Sequence, residues 1–103
     1  MTRYLLGRDA AEDIEQIWEY IARDNVAAAN RFVSKLIRNF EDIGRRPGIG
    51  HTRRQLTSAD VLFWPVGNYI IIYRVKVKSR VEIVAVTEGS RNIPRLLTQR
   101  APG

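Results

Sequence analysis

Two runs of apolar residues at helical spacing, separated by only Asp24-Asn25, constrain this chain more than any other feature of its sequence. In the first run Ile14, Ile17, Trp18 and Ile21 recur, and in the second Phe32, Val33, Leu36, Ile37, Phe40 and Ile43. Two helices joined by so short a link run antiparallel, and their stripes need a third element to cover them. Asp9, with Glu12 three residues on, has the spacing of a capping box and predicts a helix over residues 10–23. Asn25 is the expected N-cap of the second helix, and Gly44 its expected stop.

The covering element is a sheet. Tyr4-Leu5-Leu6, ended by Gly7, reads as a first strand, and residues 61–66, 69–77 and 81–87 read as three more. Gly67-Asn68 suits a tight type II′ turn between the first two of these, and Lys78-Ser79-Arg80 turns the chain into the last. A short tail helix is expected over residues 93–99. The predicted fold class is therefore α+β: an N-terminal strand and an antiparallel helical hairpin on a mostly antiparallel three- to four-stranded sheet, in one domain spanning 1–103. Alternation puts Ile70, Ile72, Arg74 and Lys76 on one face of the middle strand, and Tyr69, Ile71, Tyr73, Val75 and Val77 on the other. One register sets Lys76 opposite Glu82 and Arg74 opposite Val84, and a one-residue slip would change both. Residues 45–60 form a loop long enough to suggest a task, and they carry Arg45, Arg46, His51, Arg53 and Arg54.

Charge narrows the function classes. Residues 1–44 hold 6 Lys/Arg against 8 Asp/Glu, whereas residues 45–103 hold 11 against 3, within an overall net charge of +6. Of the 17 basic residues 14 are Arg, a composition suited to planar recognition of carboxylate or phosphate. The basic half points to an acidic partner, and a solvated surface that only keeps the domain soluble is the competing reading. Cysteine is absent and histidine occurs once, so disulfides and thiolate metal sites are excluded, and no metal or cofactor is expected. No apolar run approaches the roughly 20 residues that span a bilayer, and the first six residues are too polar for a signal peptide; a cytoplasmic location is expected.

Several segments, taken in order, carry a resemblance. They are Ile14-Glu15-Gln16-Ile17-Trp18-Glu19-Tyr20-Ile21-Ala22, then Ala28-Ala29-Asn30-Arg31-Phe32, then Pro47-Gly48-Ile49-Gly50. The most specific is Phe63-Trp64-Pro65-Val66-Gly67-Asn68-Tyr69-Ile70-Ile71-Ile72-Tyr73-Arg74-Val75, followed by Val81-Glu82-Ile83-Val84-Ala85-Val86 and Gly89-Ser90-Arg91-Asn92-Ile93. Together they resemble the ParE/RelE toxins, ParE most closely. The resemblance implies the toxic component of a type II toxin-antitoxin pair, neutralised by a cognate antitoxin whose acidic segment wraps the toxin in a hetero-oligomer. ParE members inhibit DNA gyrase; RelE members cleave messenger RNA on the ribosome. It implies no membrane association, and no direct DNA binding without the antitoxin. Family members commonly carry His where this chain has Glu88, which weakens any acid-base role there.

Metal-free RNA cleavage needs a proton acceptor, a proton donor and cations around the phosphate. Arginine supplies the cations but not the proton exchange. No Tyr or His follows Tyr73, and the only lysines are Lys35, Lys76 and Lys78, so binding is expected rather than catalysis and no residue is assigned a catalytic role. Candidates for contact with target or antitoxin are Arg74 and Arg91, near the central strand and the exit of the last, and Arg53, Arg54, Arg95 and Arg100, on the loop and tail. A structural role is the alternative for Arg74 and Arg91. Trp18 and Trp64 are expected to pack, and His51 to be a surface residue without a role.

Overall fold

A computed structural model describes residues 4–76, 78 and 80–100. The order of elements is β1 (Tyr4–Leu6), α1 (Arg8–Ala22), α2 (Val26–Arg45), a 3-10 turn (Pro47–Ile49), β2 (Leu62–Val66), β3 (Tyr69–Val75), β4 (Val81–Glu88) and α3 (Ile93–Arg100). The sheet order is β1-β4-β3-β2, with β1 parallel to β4 and the other pairs antiparallel. The α+β expectation holds. The proposed strand end at Val77 lies outside the described residues.

Residues 70 to 73 of β3 are all buried, so the inner strand is covered on both faces. On one face lies the hairpin: Ile17, Leu36, Phe40 and Ile43 press on Ile71, Tyr73, Ile83 and Val86. On the other, Ile93 and Leu97 of α3 join Ala59 and Val61 over Phe63, Ile70, Ile72 and Val84. Each Leu, Ile or Phe so buried contributes about 1.5–3 kcal/mol of transfer free energy. At the β2–β3 turn Gly67 takes φ 60°, the left-handed value that the first central residue of a II′ turn requires.

Three local expectations need correction. Helix α1 begins at Arg8 with Gly7 as its N-cap and no side-chain cap bond, so Asp9 lies within the first turn. The reason is close packing: the Gly7 N–H donates to the Ile83 carbonyl at 3.0 Å, and a Cβ there would lie 2.9 Å from that oxygen. Gly44 does not end α2 but is buried in its last turn, which runs to Arg45. The β3–β4 register sets Arg74, not Lys76, opposite Glu82: from Tyr69 to Ile72 the ladder runs one residue off the expected register, and an irregularity between Ile72 and Tyr73, which pair with Ala85 and Ile83 and pass over Val84, shifts it by one more. His51 is exposed, as expected of a surface loop residue; its backbone exchanges hydrogen bonds with Phe63 (2.8 and 2.7 Å) and its ring stacks 6.2 Å from that of Trp64. Asn25 caps α2 as expected, its side chain accepting the Ala28 N–H at 2.9 Å.

The two tryptophans pack as anticipated, each half-buried with its indole N–H donating to an amide of α2. Trp18 reaches Asn30 at 2.8 Å and Trp64 reaches Asn39 at 3.0 Å. The long loop is anchored near its start by Tyr73, whose hydroxyl donates to the Pro47 carbonyl (2.6 Å) and accepts the Gly50 N–H (2.9 Å).

Candidate functional site

The candidate arginines do not converge. Arg74 stands at the far end of β3, its Nε donating to Glu82 at 2.6 Å, and Lys76 shares that carboxylate at 3.3 Å. Burial alone would raise the Glu82 pKa, but hydrogen bonds and charge from Arg74 and Lys76 outweigh it and hold the carboxyl below its ordinary value. The charge expected to need a partner at Arg74 thus has one. Arg91 follows the opposite end of β4, where Glu88 is paired with Tyr69. Glu82 and Glu88 lie six steps apart along the strand, about 20 Å at the usual rise. Arg91 therefore does not share a site with Arg74.

Arg91 is exposed and its N–H donates to the Glu88 carbonyl at 3.1 Å, which turns the chain out of β4 toward α3. It borders two clefts. One, of about 170 Å³, lies between α1 and the sheet end and is lined by Asp13, Gln16, Ile17, Tyr20, Tyr69, Val86, Thr87 and Glu88 as well. The other, of about 340 Å³, runs beside α3 and is lined by Arg91, Asn92, Arg95, Leu96, Gln99 and Arg100. Arg95 is exposed on α3. On the loop Arg54 is exposed, while the Arg53 guanidinium lies 5.7 Å from the centre of the Phe63 ring, within cation–π range.

Arg100 departs furthest from expectation. Rather than meeting a partner freely, it donates from both terminal nitrogens to Asp13, at 2.6 and 3.0 Å, and its side chain is only 19% exposed. Its pKa is raised, first by the hydrogen bond to Asp13 and, against the opposing effect of burial, by the charges of Asp13, Asp9 and Glu12. Sequence reading did not foresee the pairing of Asp13 with Arg100, and no local signal marks it, because the two lie 87 positions apart.

The phenols near these arginines are poor proton acceptors. Burial raises the Tyr69 pKa, with the charges of Glu88 and Tyr20 acting the same way. Burial raises that of Tyr73 as well, against the lowering effect of the Gly50 N–H bond. Both stay protonated at neutral pH, so the geometry offers fixed cations and hydrogen-bond donors suited to recognition. Among the described residues no three carboxylate or imidazole groups are placed to hold a metal ion, and no helix is long and apolar enough to cross a membrane.

Comparison with known proteins agrees with this fold. The chain is 34% identical over 93 residues to Toxin ParE1 of Caulobacter vibrioides, a match covering 89% of this chain and 94% of that protein. A solved chain of the chromosomal ParDE TA system from P. aeruginosa superimposes with a TM-score of 0.70 at 18% identity, over 85% of this chain and 96% of that one, and so shares the fold. A family model described as ParE toxin of type II toxin-antitoxin system, parDE, matches residues 4–93. The chain belongs to the ParE toxin family of type II toxin-antitoxin systems.

Proposed function

We propose that the chain is a toxin that acts by binding DNA gyrase, and that in the cytoplasm it is held inactive in a hetero-oligomer by a cognate antitoxin whose acidic segment wraps it. The observation that carries this reading is the separation of Arg74 from Arg91. One is already neutralised by Glu82 and the other stands exposed at the opposite end of β4 beside Arg95. A phosphoryl-transfer site needs its cations and its proton-exchanging groups around one phosphate. Arginines spread over a surface with no such companion instead suit an acidic docking partner. Ribosome-dependent cleavage of messenger RNA, the alternative, is weakened by the same geometry.

Supercoiling by purified gyrase, titrated with this protein, tests the proposal. Inhibition with accumulation of gyrase-DNA cleavage complexes is expected, weakened at least tenfold by Arg91→Ala with Arg95→Ala. Unchanged supercoiling at high micromolar protein, together with codon-phased messenger cleavage on expression, would replace it with the ribonuclease reading.

A further inference from the structure

Helix α2 carries a line of cations that the arginine surface described above does not include. Arg31, Lys35, Arg38 and Arg45 recur at intervals of four, three and seven residues and are all exposed. At helical geometry they fall within about 80° of arc, along about 21 Å of the helix, opposite the buried Leu36, Phe40 and Ile43. The one acid on the line, Asp42, is engaged by Arg45. Among the described residues no carboxylate lies within ion-pair distance of Arg31, Lys35 or Arg38. Like charges at such spacing destabilise a helix, so folding alone gives no reason for the line. A count by halves of the chain hides it, because the exposed face of α1 balances it with Glu12, Glu15 and Glu19.

We propose that this ridge binds the phosphate backbone of a nucleic acid. The ridge is convex and polar, with Ser34 beside it and no aromatic anchor on it, whereas protein interfaces concentrate energy in buried apolar or aromatic contacts. Ile37, the exposed apolar residue of the middle turns, lies about 120° away around the helix. Nucleic-acid interfaces are polar and strongly positive, which fits. An aromatic surface flanks the line: Asn39, whose amide donates to the Lys35 carbonyl at 2.8 Å, accepts the Trp64 indole N–H, and the exposed His51 ring stacks on Trp64. Cations beside a stacked aromatic pair form a surface able to take a backbone and a base together. The inference stands apart from the gyrase reading and departs from the expectation that the toxin alone does not bind DNA.

Fluorescence anisotropy with a labelled 20-base-pair DNA duplex and a matching RNA hairpin, without gyrase or antitoxin, tests it. Three phosphate contacts predict a slope of log K against log salt near −2.7, a loss of about fortyfold between 50 and 200 mM salt. The triple variant Arg31→Gln, Lys35→Gln, Arg38→Gln is expected to flatten that slope by about 2.7, to near zero, while the control Arg53→Gln, Arg54→Gln retains most of it. Circular dichroism checks that both variants are folded. Binding to DNA and RNA alike supports backbone recognition, and binding to one alone supports it with the source identified. A ridge variant that binds as the wild type does, a control that loses as much, or a wild type that binds a polyglutamate peptide but neither nucleic acid overturns the proposal.

Discussion

Asp13 and Arg100 meet side by side across 87 positions of sequence, two hydrogen bonds joining them at 2.6 and 3.0 Å. The same carboxylate accepts the Val86 N–H at 3.0 Å, and the guanidinium reaches the Val84 carbonyl at 3.4 Å. Because β1 pairs only with residues 81–83 of β4, this ion pair serves the stretch of strand edge that β1 leaves open.

Replacing Asp13 by Ala removes charge-assisted bonds to both α3 and β4, and is expected to lower stability by about 2–3 kcal/mol. Urea unfolding of the purified variant measures it. A loss below about 0.5 kcal/mol would show that the pair is a surface ornament.

The contact of Glu82 with Arg74 and Lys76 gives stability a pH dependence of defined sign. The folded pKa is depressed below its ordinary 4.5. The contribution is therefore fully present above that value and is lost as pH falls through the lower folded one. Unfolding midpoints of wild type and Glu82→Gln should differ at pH 7 and draw together as pH falls below 4.5. A gap that widens in acid would reverse the assignment.

At the start of the long loop, Gly50 lies against Tyr73. A Cβ on residue 50 would stand 2.5 Å from the Tyr73 hydroxyl and 3.0 Å from the Leu62 Cβ. Gly50→Ala should thus cost more than Tyr73→Phe, which forfeits two hydrogen bonds and about 1–3 kcal/mol. Thermal unfolding that ranks the two variants the other way would mean that the loop shifts freely.

Capping offers a paired comparison. Asn25→Ala should destabilise by about 1 kcal/mol, because it removes the acceptor of the Ala28 N–H. Asp9→Ala should cost at most about 0.5 kcal/mol, since Asp9 caps nothing and sits 3.9 Å from Arg100 on an exposed flank. Equal losses would restore Asp9 to a capping role.

Much of this architecture is legible in the residues. Apolar periodicity marks both helices, Asn25 announces the second, and Gly67-Asn68 fixes the hairpin turn. Capping at Asp9 fails for a reason outside local sequence: the strand turns into α1 against the Ile83 carbonyl, and only a residue without a side chain fits. The Arg74–Glu82 pair was hidden by two one-residue steps, a slip of the whole ladder that alternation does not specify and the irregularity near Val84 that a period of two does not foresee. The locking of Arg100 by Asp13 depends on where α3 lands, which no window of sequence reports. The cationic line on α2 was present in plain spacing, yet a charge sum over half the chain averages it away.

The two ends of the chain close one strand between them: Tyr4 lies beside Val81, and Arg100 meets the residues beyond. Contacts this distant in sequence form late, after the local hairpins. The helical stripes precede in sequence the strands and tail that shelter them, so the helices by themselves leave an apolar face uncovered. The surface around β4 is thus complete only when Tyr4 and Arg100, far apart in sequence, have both docked on that strand.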